Sequence, residues 1–199
     1  MNSSANSALE RRLWVAAGLL ALAGYLLIVP AQAVLTGLRA RGLLAITVLV
    51  LFLSAAVFLV VLVAHSRPHR SEWVLYGIAA ATYMAILPRL EVIQERVHFL
   101  QYGLLSGIFF LALRARALRL GLPTLLASVA IATIATAAVG WGDEGIQALV
   151  PSRVYDLRDV GFNALAGLLA AVTMGLREAL RRTATVRPSP PPRSSRIPP

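Results

Sequence analysis

GLLAITVLVLFLSAAVFLVVLVA, residues 42–64, is a run of 23 residues without a charge. A bilayer's hydrocarbon core is about 30 Å thick and an α-helix rises about 1.5 Å per residue, so about 20 such residues cross it. The run therefore reads as a membrane span. Five further apolar runs lie around it, at 13–29, 73–87, 97–113, 122–139 and 160–176. The run 73–87 is the weakest, with 15 residues before Pro88, and extends through Leu90 only as a tilted or kinked span. The expected fold is all-α: a polytopic integral membrane helical bundle of about six transmembrane helices. Composition agrees, since 58% of the 199 residues are hydrophobic, 14% are charged and the mean hydropathy is +0.72.

The chain divides into a mobile N-terminus at 1–12, three spans within 13–89, three more within 90–178, and a basic, Pro-rich tail at 179–199 with too little apolar surface to fold. The first segment has a rival reading. Arg11-Arg12, an apolar stretch and Ala31-Gln32-Ala33 resemble a secretory signal with its cleavage site. Its 17-residue apolar part exceeds the usual signal core, which favours an uncleaved first span.

All 19 basic residues are Arg, and against nine acids they leave a net charge of +10. In a soluble protein that excess would suggest nucleic acid. Here the arginines sit in short clusters between spans, so no nucleic-acid partner is expected. Assigned to alternate sides, 13 Arg fall with both termini and 6 with the other side. The richer side should be cytoplasmic, giving a multi-pass membrane protein with both ends inside. Without Lys there is neither a Schiff-base amine nor a P-loop lysine, and without Cys there is no thiol nucleophile or thiolate metal site.

The acids divide unequally. Glu10, Glu72 and Glu178 fall with the Arg-rich side, whereas Glu91, Glu95, Asp143, Glu144, Asp156 and Asp159 gather at the opposite ends of the last three spans. Ionisable groups at membrane depth are costly and face a bundle interior or a watery cavity, so this cluster is the main functional signal. Glu91, Glu95, His98 and Tyr102 follow helical spacing along one stripe, as do Asp156, Asp159, Asn163 and Gly167. The plain reading makes His98 a buried imidazole bonded to a carboxylate, Asp156 an N-cap and Asp159 a first-turn acid favoured by the helix dipole. It leaves Asn163 and the adjacent pair Asp143-Glu144 unexplained, since two neighbouring carboxylates repel unless a cation or Arg intervenes. The connection between the fifth and sixth spans is read as starting at Trp141. The small-residue stripes Gly167, Ala171, Gly175 and Gly103, Gly107 read as helix-packing faces.

Arg96-x-His98-x-x-x-Tyr102 followed by Gly107, then Asp143-Glu144-x-x-Gln147-x-x-x-Pro151-x-Arg153-x-x-Asp156-x-x-Asp159-x-x-x-Asn163-x-x-x-Gly167, resembles the VanZ-like family of bacterial membrane proteins. Arg96 stands where such proteins commonly carry Lys. The resemblance implies a role at the cell envelope, and the family takes its name from a protein that lowers susceptibility to the glycopeptide teicoplanin. It thereby implies a link to antibiotic resistance and a glycopeptide-like ligand.

Three expectations follow for the cluster. In the first, Arg96 and Arg153 hold the phosphate or carboxylate of a lipid head, a lipid-linked precursor or another amphiphile, with Tyr102, Gln147, Asp156 and Asn163 completing the site. In the second, Asp143, Glu144 and Asp159 hold a divalent cation while Glu95 and His98 move protons in a hydrolase or transferase. That reading lacks a nucleophile, because Ser106 is deep and Ser152 has no evident base. In the third, the chain is a structural or assembly subunit of a larger membrane complex.

Overall fold

The computed structural model describes residues 3–90, 93–121, 124–149 and 155–185. These residues form six α-helices and no strand: α1 Ser3–Ala40, α2 Leu44–His65, α3 Arg70–Ile86, α4 Ile93–Leu120, α5 Leu125–Gln147 and α6 Leu157–Thr185. A 3-10 turn, Leu87–Arg89, joins α3 to α4. The all-helical expectation holds, for a simple reason: within lipid, a helix satisfies its own N–H and C=O groups.

Five of these helices are long and apolar enough to cross a membrane, and α3 is the exception. Its 17 residues rise about 26 Å. Pro88, which has no N–H to continue the ladder, falls in the 3-10 turn that follows. Elsewhere the helices overrun the apolar stretches. Helix α1 is already formed at Ser3, where a mobile segment to residue 12 was expected, and continues through Pro30 to Ala40. Helix α5 runs to Gln147, so Trp141, Asp143 and Glu144 are helical instead of belonging to a connection. Helix α6 continues to Thr185, and the rest of the expected disordered tail lies outside the described residues.

Helix α4 is the hub, packed against α1, α5 and α6, while α5 and α6 pack on each other and α3 joins through α6. Helix α2 touches the bundle chiefly through α1, and of its side chains only Leu44 is buried, with Phe52 packed partly against the core. In water that would be untenable, but lipid tails solvate leucine as well as another helix does. Phe99, Leu105 and Phe110 of α4 are buried with Ala132, Ala166 and Ala171, and the Trp14 ring packs 5.8 Å from that of Phe109. Large apolar side chains such as Leu26, Phe58 and Ile134 are exposed while Arg114, Glu72 and Asp143 are buried. This inverted distribution suits a hydrocarbon surround.

Small residues let the hub helices approach. A methyl added at Gly167 would lie 2.9 Å from Thr136 Cγ2, and one at Gly175 2.8 Å from Val129 Cγ2. Two hydroxyls then stitch α6 to its neighbours, Ser106 donating to the Gly167 carbonyl at 2.7 Å and Tyr83 to that of Ala166 at 3.1 Å. Ser106 is therefore a packing residue here.

One end of the bundle is clasped by ion pairs. Glu72, 1% exposed at the start of α3, accepts from Arg181 Nε at 2.9 Å and Arg177 Nε at 3.2 Å of α6. Glu178 takes Arg114 in a two-pronged contact at 2.7 and 2.9 Å and also pairs with Arg182, while Glu10 takes Arg119 at 2.9 Å. Burial opposes the charge on Glu72, but the guanidinium hydrogen bonds from Arg181 and Arg177 outweigh it and hold its carboxyl below the usual carboxylate range. Each acid of this end thus ties two helices together.

Candidate functional site

Glu95, Asp143, Glu144, Asp156 and Asp159 lie at the opposite end, where α4 and α6 begin and α5 finishes. Asp143 and Glu144 are neighbours on α5, so their side chains leave the axis about 100° apart. That angle separates them. Asp143 faces α4, where its Oδ2 lies 3.1 Å from His98 Nδ1 and accepts from Gln147 Nε2, one turn on, at 3.1 Å. Glu144 faces the start of α6 and accepts the Asp156 N–H at 3.4 Å. Among the described residues no guanidinium contacts either carboxylate; an imidazole, an amide and a backbone N–H take that place.

Tyr102, one turn deeper on α4 than His98, is buried on the same side of the helix, near Asp143. The two rings lie 6.0 Å apart. Asp143, Glu144, Gln147, Tyr102 and Asn163 are all buried, whereas the His98 side chain keeps a quarter of its surface exposed. The knot is closed to solvent except along His98.

Asn163 sits on α6 against α5. A methyl added at Gly140 would come within 2.9 Å of Asn163 Cβ and 3.1 Å of its Nδ2. The Asn163 Nδ2 donor and the Asp143 Oδ1 acceptor are both buried without a hydrogen-bond partner. Each such group costs about 1–3 kcal/mol.

The remaining candidates take other roles. Asp156 is the N-cap of α6, its Oδ1 accepting the Arg158 N–H at 2.8 Å, as the plain reading has it. Asp159 lies in the first turn of α6, half-buried and electrostatically coupled to Glu144. Glu95 is half-buried in the first turn of α4. Arg96, expected to hold an anion, donates from Nε at 3.1 Å and from one terminal nitrogen at 3.0 Å to the Leu90 carbonyl, pinning the α3–α4 junction. Glu91, Pro151, Ser152 and Arg153 lie outside the described residues.

Among the described residues no three His, Asp or Glu side chains converge to hold a metal ion, and Asp143, Glu144 and Asp159 do not form such a set. The physical reason is the divergence of the first two, one spent on α4 and the other on α6.

Tyr25 of α1 is a member that sequence reasoning missed. Its hydroxyl donates to the Val139 carbonyl at 2.8 Å, and a methyl at Gly142 would lie 2.8 Å from that oxygen. It closes the α1 side of the knot. A lone tyrosine in the first span carries no spacing signal toward a motif more than 100 residues away.

Comparison with protein-family models, curated proteins and solved structures found no match to this chain.

Proposed function

We propose that this chain is a multi-pass protein of the bacterial inner membrane, VanZ-like in character, whose cluster around Asp143 binds the polar head of a membrane amphiphile on the extracytoplasmic side. The observation that carries this reading is the buried knot of His98, Tyr102, Gln147 and Asp143, drawn from two helices. Polar groups held at membrane depth in contact with one another mark a working site more often than a structural one. Beside the knot the bundle exposes Trp141, Leu149, Tyr155 and Leu157, an apolar and aromatic rim suited to the interfacial part of such a ligand.

The role is recognition at the cell envelope, of a lipid, a lipid-linked precursor or a glycopeptide-like amphiphile. Purification of wild type and Asp143→Asn in mild detergent, followed by mass spectrometry of the retained lipids, tests it. A lipid class enriched by wild type and lost from a folded Asp143→Asn protein supports the proposal. Identical lipid profiles overturn it.

The His98–Asp143 pair also suits a membrane enzyme. A carboxylate at Nδ1 fixes the tautomer and leaves Nε2 as a general base toward water. That version requires turnover of the bound amphiphile, abolished in His98→Ala.

A further inference from the structure

The amphiphile reading leaves the chemical class of the head group open, and the donors and acceptors around Asp143 narrow it. We infer that the site takes a hydroxyl-bearing head, a sugar or polyol, in preference to a phosphate or an ammonium. The inference rests on the head-group reading and goes one step further.

Asp143 Oδ1 is a buried acceptor in need of a donor, and Asn163 Nδ2 a buried donor in need of an acceptor. They stand on facing helices. Asn163 turns its amide onto α5 at Gly140, and Asp143 lies three residues further along the same buried stripe, a rise of about 4.5 Å. One group that reaches both must donate and accept. A hydroxyl does so, its hydrogen going to the carboxylate and a lone pair receiving the amide N–H. An unprotonated phosphate oxygen has no hydrogen for Asp143, and an ammonium has no lone pair for Asn163.

The charges agree. Asp143 and Glu144 are both buried here, and the Arg96 guanidinium spends two of its nitrogens on the Leu90 carbonyl. Acids and amides beside the rings of Tyr102 and His98 form a lining that matches an array of hydroxyls on an apolar ring face.

The test uses the full chain in detergent, with native mass spectrometry of competition among glucosyl-diacylglycerol, phosphatidic acid and phosphatidylethanolamine. Wild type should retain the glucosyl lipid over the other two by about tenfold, as expected for a hydrogen bond to a charged group. Asn163→Ala and Gly140→Ala should each bring that preference within about twofold. Asn163→Ala also removes an unsatisfied amide, so its thermal unfolding temperature should hold or rise, which separates lost recognition from lost fold. Preference for phosphatidic acid or phosphatidylethanolamine that vanishes in Asp143→Asn would leave the head-group reading standing and overturn the hydroxyl class. Retention of all three lipids unchanged in Asp143→Asn and Asn163→Ala would overturn both, leaving those atoms to buried water.

Discussion

His98 Nδ1 and Asp143 Oδ2 meet at 3.1 Å across the α4–α5 interface, between positions 45 residues apart. Gln147 fixes the same oxygen from the next turn of α5. His98→Ala should therefore leave Asp143 with the Gln147 hydrogen bond and preserve the fold, while weakening amphiphile retention by about tenfold, the value of one hydrogen bond to a carboxylate. Asp143→Asn keeps the shape of the side chain but removes the charge that His98 and Gln147 face at Oδ2, so the loss should be larger. Ligand retention measured beside helicity and elution profile checks both. Loss of folded protein in each variant would reassign the knot to structure.

The opposite end predicts a stability effect. Glu72→Gln removes the charge that Arg177 and Arg181 share and should destabilise the bundle by about 1–3 kcal/mol, because the guanidinium groups retain partial access to water. Thermal unfolding in detergent micelles reads this directly. Amphiphile retention at the distant site should not change.

The same carboxyl sets a pH dependence. Its folded value lies below the ordinary range, so the unfolded chain binds the proton more readily. The contribution of Glu72 is fully present above the ordinary carboxylate value of about 4.3 and is lost as pH falls through the lower, folded value. Unfolding temperatures of wild type should exceed those of Glu72→Gln at neutral pH and converge with them in acid. A gap that does not narrow as the pH falls below the ordinary carboxylate value would count against the clasp.

Close packing of α5 on α6 makes Gly167 intolerant. A Cβ there meets Thr136 Cγ2 at 2.9 Å and Thr136 Cβ at 3.0 Å, both on a branched side chain whose hydroxyl is tied to the Ala132 carbonyl. Gly167→Val should cost about 1–3 kcal/mol by overpacking and should also lengthen the Ser106 hydrogen bond to the Gly167 carbonyl. Gly161, with nothing near its would-be side chain, is the control: Gly161→Val should be close to neutral. Thermal unfolding of the two variants side by side decides it.

Helix identity was legible where apolar length alone decides, as in residues 42–64. Helix ends were not, because α1 and α5 continue into polar sequence on the strength of tertiary partners such as Glu10–Arg119 and His98–Asp143, which no local pattern announces. The stripe containing His98 and Tyr102 was visible from spacing on one helix. Its pairing with Asp143 was not, since spacing orders residues within a helix and says nothing of which helices touch. The contact of Arg96 with the Leu90 carbonyl was likewise not legible, because its charge says nothing of which carbonyl lies within reach. Asp156 behaved as its position before a helix dictates.

Orientation provides the last prediction. The clasped end gathers Arg11, Arg12, Arg114, Arg116, Arg119, Arg177, Arg181 and Arg182, and the Asp143 end balances its arginines with acids. Arginine excess retains a loop in the cytoplasm, so the Asp143 end should face outward. The chain has no cysteine, which makes single-cysteine labelling clean. Leu149→Cys, at an exposed position just past α5, should react with a membrane-impermeant maleimide in intact cells, and Arg116→Cys, exposed near the end of α4, only after permeabilisation. The reverse pattern would place the His98–Asp143 knot on the cytoplasmic face. Its ligand would then have to be an amphiphile of the inner leaflet, and the arginine imbalance would need another cause.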